Sequence, residues 1–191
     1  RAGGRCGCAG LPAPRGATVP VNQPTARPPA RPPAMRVGIG YDSHRFTDAR
    51  PLKLAGVRIP GGPGLAGHSD ADAVAHALTD AILGAAAAGN IGQLFPDSDP
   101  QWKDADSMEL LRTAHELVRG RGHSLVQADL TVITEAPRLG PHLQAMAASL
   151  AGKLGLSAGA ISVKAKTNEG MGFIGKGEGL AVIAVAVLEA R

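Results

Sequence analysis

Aromatic side chains are scarce in this chain. Tyr41, Phe46, Phe95, Trp102 and Phe173 are all that its 191 residues contain. The hydrophobic core must therefore be aliphatic, and the stacking platforms of single-strand nucleic-acid binders are absent. Cysteine is rarer still. Cys6 and Cys8 are the two present, too close together to favour pairing with each other and too few for a metal site. A cysteine-free body after them fits a reducing compartment. Nowhere is there a run of about 18 apolar residues, so no membrane-spanning helix is expected.

Acidic residues are missing from positions 1–34, which hold five arginines and 8 of the 15 prolines. Such a segment buries too little apolar surface to offset its ordering entropy, and it reads as a disordered Pro/Arg-rich tail or linker. It lacks the apolar core of a secretory signal. It is Arg-rich and acid-poor as transit peptides are, although its prolines oppose an amphipathic helix. Three readings stand: an upstream start assigned too early, an interdomain linker from a larger polypeptide, or a targeting segment, the first two being favoured. The expected location is the cytoplasm, or a plastid if the tail is a transit peptide. Without the five tail arginines, the 20 Lys and Arg fall to 15 against 16 acidic residues. The basic balance thus belongs to the tail, and the folded part makes no electrostatic case for nucleic acid.

From Met35 onward, strand-like and helix-like patterns alternate. Residues 36–41 (RVGIGY) predict a short strand, and 52–54 with 57–59 a hairpin interrupted by Gly56. Residues 70–87 predict a helix with Ala73, Ala77, Leu78, Ala81 and Ile82 facing the core. A second helix is expected over 106–121, capped by Asp106 or Ser107, and a third over 141–154, stopped by Gly155. Strands are expected over 125–134, 161–166 and 179–189, the last apolar enough for a central position. The mixture predicts an α/β or α+β sandwich of one domain, residues 35–191.

Polar residues cluster in two places. Asp42 and His44 are two apart after the first strand, so they point the same way. Asp72, His76 and Asp80 are four apart, which on a helix gives one face. Asp42, His44 and His76 make a three-ligand set with an open position of the kind catalytic zinc uses, with Asp72 or Asp80 expected to orient His76. The same residues also read as a loop, a solvated helix face, and an N-cap formed by Ser69 or Asp70. His115, His123 and His142 read as structural. The second cluster, residues 164–179 (KAKTNEGMGFIGKGEG), is glycine-rich between two strands. Lys166, Lys176 and Thr167 suit phosphate oxygens there, and Glu169 a hard cation. With no helix expected after it, the loop is neither a Walker A loop nor a dinucleotide fingerprint, and a flexible hairpin remains the plain alternative.

The stretches VGIGYDSHRF (37–46), LAGHSDADAVAHALTDAILGAAAAGNIGQLFPDSDPQWKDADS (65–107) and VKAKTNEGMGFIGKGEG (163–179) resemble the signature segments of the 2-C-methyl-D-erythritol 2,4-cyclodiphosphate synthase family. The resemblance runs from Met35 to Leu188 and omits the tail. It implies conversion of 4-diphosphocytidyl-2-C-methyl-D-erythritol 2-phosphate to the cyclic diphosphate with release of CMP, a lyase reaction of isoprenoid precursor synthesis. By position, Asp42, His44 and His76 match the zinc ligands. His68 and Ser69 match residues beside the 2-phosphate and erythritol part. Asn90 stands where Asp is frequent and would contact a methylerythritol hydroxyl, with Ile91, Gly92, Phe95 and Asp97 as further substrate-binding positions. Thr134, Ala136, Pro137, Arg138, Leu139, Ala165, Lys166 and Thr167 match the cytidine diphosphate pocket, and Asn168 and Phe173 are also expected to touch substrate. Glu169 matches the carboxylate for Mg²⁺ or Mn²⁺. Glu169, His68 and Lys176 are the expected catalytic residues.

Two departures concern phosphate contacts. Lys166-Thr167-Asn168 replaces a Thr-Thr-Thr run, and Lys176 stands where arginine is frequent, a point charge in place of a bidentate donor. The resemblance further implies a ferredoxin-like sandwich in a homotrimer with active sites between subunits. Tyr41, Phe173, Lys176 and Glu178 would line its central channel, which can hold an isoprenoid phosphate. A fused or associated cytidylyltransferase is a possible partner; nucleic acid and membrane are not expected. The residues alone leave two other readings, a metal-dependent phosphohydrolase and a non-catalytic nucleotide- or metal-binding module.

Overall fold

The computed structural model describes Gly3 and residues 34–190. The expected disordered tail, with Cys6, Cys8 and its arginines, lies outside the described residues. Two long strands open the fold, β1 (Met35–Leu54) and β2 (Val57–Leu65), joined by the tight turn at Ala55 and Gly56. Both turn residues adopt positive φ, 54° and 75°, the left-handed geometry such a reversal requires. There follow α1 (Ala73–Ala85), the single turn α2 (Ile91–Leu94), α3 (Ser107–Gly120), β3 (His123–Ile133), α4 (Leu143–Leu154), β4 (Ile161–Lys166), the single turn α5 (Gly172–Gly175) and β5 (Gly179–Ala190). No helix among the described residues is long and apolar enough to cross a membrane.

The strands form one mixed five-stranded sheet in the order β2-β1-β5-β3-β4. The almost wholly apolar β5 occupies the centre, antiparallel to both β1 and β3, while β3 and β4 run parallel. A parallel pair needs a crossover, and α4 supplies it. β1 divides its length: residues 35–45 pair with β5, and residues 46–54 continue beyond it to pair with β2.

Helices cover one face of the sheet. There Leu180, Val182, Ala184, Ala186 and Leu188 of β5 meet Leu130 and Val132 of β3 and the buried side of α1, all at or near zero exposure. Ten of the 13 residues of α1 are buried, five of them alanine, and its backbone lies unusually close to β1. A methyl group on Gly40 would stand 1.9 Å from the Ala77 carbonyl oxygen, and one on Gly38 2.0 Å from that of Ala81. Gly40→Ala therefore requires α1 to move away from the sheet. Overpacking costs about 1–3 kcal/mol when side chains alone adjust, and a backbone clash belongs at or above that upper end. Thermal unfolding should fall by about 10 °C, given roughly 2–4 °C per kcal/mol at this chain length.

The opposite face is apolar yet uncovered. Val37, Ile39 and Tyr41 of β1 are 67%, 71% and 56% exposed, and Ile183 of β5 is 38% exposed.

Several boundaries differ from the sequence expectation. β1 is 20 residues long and runs past RVGIGY through the polar stretch SHRFTDARP, because its backbone goes on pairing, with β5 as far as Arg45 and with β2 from Phe46. β2 likewise extends to Leu65. α1 begins at Ala73 because Asp72 is its N-cap, accepting from the Val74 and Ala75 N–H groups. Asp72 therefore lies at the start of the helix and turns inward, so no solvated Asp72–His76–Asp80 face exists. The third predicted helix is divided into a 3₁₀ turn at Gly140–His142 and α4, which ends as expected on left-handed Gly155. Within the glycine-rich loop between the two strands, residues 172–175 form one helical turn.

Candidate active site

Strand alternation puts Asp42 and His44 on the helix-facing side of β1, beyond Gly38 and Gly40. His76, one turn into α1, meets them there. Asp42 Oδ2 lies 3.0 Å from His44 Nε2 and 3.1 Å from His76 Nδ1, and the two ring nitrogens are 3.2 Å apart. Among the described residues this is the one cluster of three potential metal ligands.

The triangle suits a divalent cation. Ligands at 2.0–2.1 Å in a tetrahedron are separated by about 3.3 Å, only slightly more than the edges here. The outer nitrogens agree with this arrangement. His44 Nδ1 is 2.6 Å from the Ala66 carbonyl oxygen, which accepts but never donates, so Nδ1 carries the proton and Nε2 offers a lone pair inward. His76 Nε2 lies 2.8 Å from Ser107 Oγ and 3.1 Å from Ser69 Oγ. Two inward lone pairs and a carboxylate oxygen repel one another unless a cation or a proton stands between them. Burial raises the Asp42 carboxyl, but its hydrogen bonds and charge interactions with both imidazoles outweigh this and leave it below the ordinary carboxylate range. Burial lowers His44, and the Asp42 carboxylate reverses the sign, leaving the imidazole above its ordinary value. A divalent cation would take the place of that proton.

Two expectations about His76 are corrected. Asp72 does not orient it. This carboxylate is fully buried and accepts four backbone N–H groups, from Ala55 at 2.8 Å, Gly56 at 2.7 Å, and Val74 and Ala75 at 3.2 Å each. Nor does Asp80, which accepts from Ile91 N–H at 2.7 Å and ties α2 to α1. Ser69 and Ser107 take the orienting place. Ser69 and Asp70 also do not cap α1, since Asp72 does. From sequence, Ser107 reads only as a candidate cap for α3; no local signal brings its hydroxyl to a histidine 31 residues earlier.

A cavity of about 260 Å³ opens over the triad, lined also by His68, Ser69, Ile91, Gly92, Phe95 and Asp97 among the expected substrate-binding positions. His68 Nε2 is buried without a hydrogen-bond partner. Gly67, Trp102 and Leu110 complete the lining unanticipated, Trp102 meeting Phe95 edge to face at 5.0 Å. Asn90 does not line this cavity. Its side chain caps α2, accepting from Gln93 N–H at 2.9 Å.

A second cavity, about 480 Å³, brings Thr134, Pro137, Arg138 and Leu139 together with Ala165, Lys166 and Thr167. Ala136 precedes a cis peptide bond to Pro137, and its carbonyl oxygen accepts from Thr134 Oγ1 at 2.7 Å. The two cavities share no residue. Asn168, Glu169, Phe173 and Lys176 line neither; Phe173 borders a third opening with Ser43, His44, Arg45 and Glu178. Glu135, unremarked in the sequence, holds the loop bearing Glu169 by accepting from the N–H groups of Asn168 at 2.9 Å and Gly170 at 3.2 Å. Between them Glu169 has φ 51°, and its carboxylate accepts from Thr167 Oγ1 at 2.6 Å. His115, His123 and His142 stay away from the triad cavity. His115 is buried in α3, and burial pushes its pKa down.

The model of the YgbB family matches residues 35–189. The chain belongs to this family. The 2-C-methyl-D-erythritol 2,4-cyclodiphosphate synthase of Laribacter hongkongensis is 54% identical over 157 residues, which cover 82% of this YgbB-family chain and 97% of the relative. Among solved structures, the bifunctional IspDF from Campylobacter jejuni is 47% identical, with a TM-score of 0.80 over 83% of this chain and 43% of its own. The YgbB-family chain thus spans less than half the length of that protein. A CDP-bound form of 2C-methyl-D-erythritol-2,4-cyclodiphosphate synthase is 44% identical with a TM-score of 0.74, covering 80% of this chain and 99% of its own. The matched range contains all five strands up to residue 189, the triad and both cavities, and excludes the proline-rich tail.

Proposed function

We propose that residues 35–191 convert 4-diphosphocytidyl-2-C-methyl-D-erythritol 2-phosphate into 2-C-methyl-D-erythritol 2,4-cyclodiphosphate and CMP, a step of non-mevalonate isoprenoid synthesis. The observation that carries this reading is the Asp42–His44–His76 triangle facing a polar cavity, in a chain 54% identical to a synthase so named. An oxygen of the 2-phosphate forms a bond to the β-phosphorus while the bond from that phosphorus to the bridging oxygen breaks. CMP departs with the oxygen and its electron pair. The nucleophile is the substrate's own, so the chain needs to position groups and neutralise charge rather than supply a reactive side chain.

Asp42, His44 and His76 would hold zinc, and Glu169 a Mg²⁺ or Mn²⁺ ion; bound there, the cations supply Lewis-acid stabilisation of phosphate charge. His68 would meet the 2-phosphate with its unpartnered Nε2, Ser69 would lie beside it, and Ile91, Gly92, Phe95 and Asp97 would enclose the erythritol unit. Asn90 would contact a hydroxyl after releasing its cap. The cavity at Thr134–Leu139 and Ala165–Thr167 would take the cytidine diphosphate end, and Lys176 would place its charge on the phosphates. That a solved relative is a CDP-bound form supports binding of this nucleotide by the chain.

Neither cavity of a single chain holds every expected residue, which supports a homotrimer of ferredoxin-like subunits whose sites lie at their junctions. The uncovered apolar row of Val37, Ile39, Tyr41 and Ile183 suits burial against other copies. A cytidylyltransferase, fused or associated, would install the diphosphocytidyl group at an earlier step, and the bifunctional relative supports a fused partner.

The test is incubation of the full chain with the diphosphocytidyl substrate, Zn²⁺ and Mg²⁺, followed by phosphorus NMR. The expected result is one CMP per cyclic diphosphate. CMP with a linear bisphosphate would replace the cyclase by a hydrolase, and binding of CDP without turnover would replace it by a binding module.

A further inference from the structure

The groups behind His76 form a directional chain that the reaction as described does not use. We infer that Ser107 is a positioning residue for the metal site, held by Asp70 and Lys53 so that it can only accept from His76 and thereby turns the imidazole's Nδ1 lone pair toward Asp42 and His44. The inference rests on the reading of the triad as a metal site.

The chain can be followed from its outer end. Lys53 Nζ donates to Asp70 Oδ2 at 2.7 Å and to Asp106 Oδ1 at 3.2 Å. An ammonium beside it keeps Asp70 a carboxylate, and a carboxylate is an acceptor only. Asp70 Oδ1 accepts from Ser107 Oγ in a short hydrogen bond and from Ser107 N–H at 3.2 Å. The single hydroxyl proton of Ser107 is thereby committed to Asp70. What remains at Ser107 Oγ is lone pairs, one of them 2.8 Å from His76 Nε2. That nitrogen must then be the protonated one. Ser107 is fully buried at the first position of α3, so water cannot substitute for it. Ser69 Oγ, 3.1 Å from the same nitrogen, is the weaker partner: Ala71 N–H donates to it at 3.2 Å, and its own proton can face Ser107 or a ligand. Serine thus does for His76 what the Ala66 carbonyl does for His44, although a hydroxyl acts as a pure acceptor only because Asp70 claims its proton.

Partners behind a metal-bound histidine are worth about 10–100-fold in metal affinity. The full chain should bind Zn²⁺ that much more weakly as Ser107→Ala, measured by competition with a chromogenic chelator. Asp70→Asn should weaken it too, because an amide that donates to Ser107 sends the hydroxyl proton back toward His76. In the zinc-loaded wild type, ¹H–¹⁵N spectra should show a slowly exchanging His76 Nε2–H, and Ser107→Ala should lose that protection. A merely structural serine would shift the unfolding midpoint and leave this signal alone.

Zinc affinity within twofold of wild type in Ser107→Ala, or a rapidly exchanging Nε2–H in the wild type, overturns the inference. The second measurement decides even if the variant does not fold. His76→Ala separates the two levels of the argument. If it binds Zn²⁺ like wild type, the metal reading falls and the inference with it. If it loses Zn²⁺ while Ser107→Ala does not, only the role of Ser107 falls.

Discussion

His76→Ala should lose both bound zinc and turnover, with kcat/KM for CMP release lower by about three orders of magnitude or more. The size follows from what the triad would do. A Lewis acid on phosphate is worth several kcal/mol of transition-state stabilisation, and each 1.36 kcal/mol is a factor of ten. Two ligands remain in the variant, but Asp42 Oδ2 and His44 Nε2 at 3.0 Å can then share a proton instead of an ion. His76 lines the cavity and is no part of the hydrophobic core that the apolar residues of α1 make, so the fold should survive. Zinc content per chain and initial rates, measured on the same preparation, decide the matter. A variant that keeps its rate within tenfold would remove the triad from the chemistry.

Asp72→Ala should unfold the protein more readily than any change in the cavity, by about 3–5 kcal/mol. The carboxylate is fully buried and gathers four N–H groups from two places at once: the tight turn at Ala55 and Gly56, and the first turn of α1. Loss of a helix cap alone costs about 1–2 kcal/mol, and a buried donor left unpaired adds about 1–3 kcal/mol. Of the two turn amides, that of Ala55 is buried and has no alternative partner, so its cost adds to that of the cap, whereas exposed Gly56 can turn its amide to water. Thermal unfolding should drop by roughly 10 °C or more at this chain length. A loss below about 1 kcal/mol would mean that water reaches those amides and that the tie between hairpin and helix matters little.

What could be read beforehand divides along physical lines. Periodicity marked α1, α3, α4 and the buried β5, because a helix or strand packed on one side must repeat its apolar residues. It marked Asp42 and His44 as a pair for the same reason, and the fold brings His76 to them. The outer half of β1 was illegible: SHRFTDARP has no apolar alternation, since it is held by backbone pairing, first with β5 and then with β2, and not by burial. Asp72 was misread because spacing of four identifies a helical face only inside the helix, and a cap residue turns its side chain back onto backbone amides. Ser107 escaped notice because its partner is brought by tertiary packing of α3 against α1. The one-turn helices at 91–94 and 172–175 are too short to show any period. The triad and most residues of the second cavity were therefore visible one by one, and the polar groups that hold them in place were not.

β1 gives its two faces to different tasks, even-numbered residues toward α1 and the triad, odd-numbered ones toward the bare apolar surface. Eleven consecutive pairs with β5, from Met35 opposite Glu189 to Arg45 opposite Gly179, lock that assignment. Deleting a single residue between 36 and 41 would exchange the faces of everything on one side of the gap. Either Asp42 and His44 would turn outward among the exposed valine and isoleucine, or those large side chains would be driven into the space that only Gly38 and Gly40 now fit. Point substitutions can explore this segment one face at a time, but changes of length cannot. Over these eleven residues, lineages of this protein should drift in spelling and never in count.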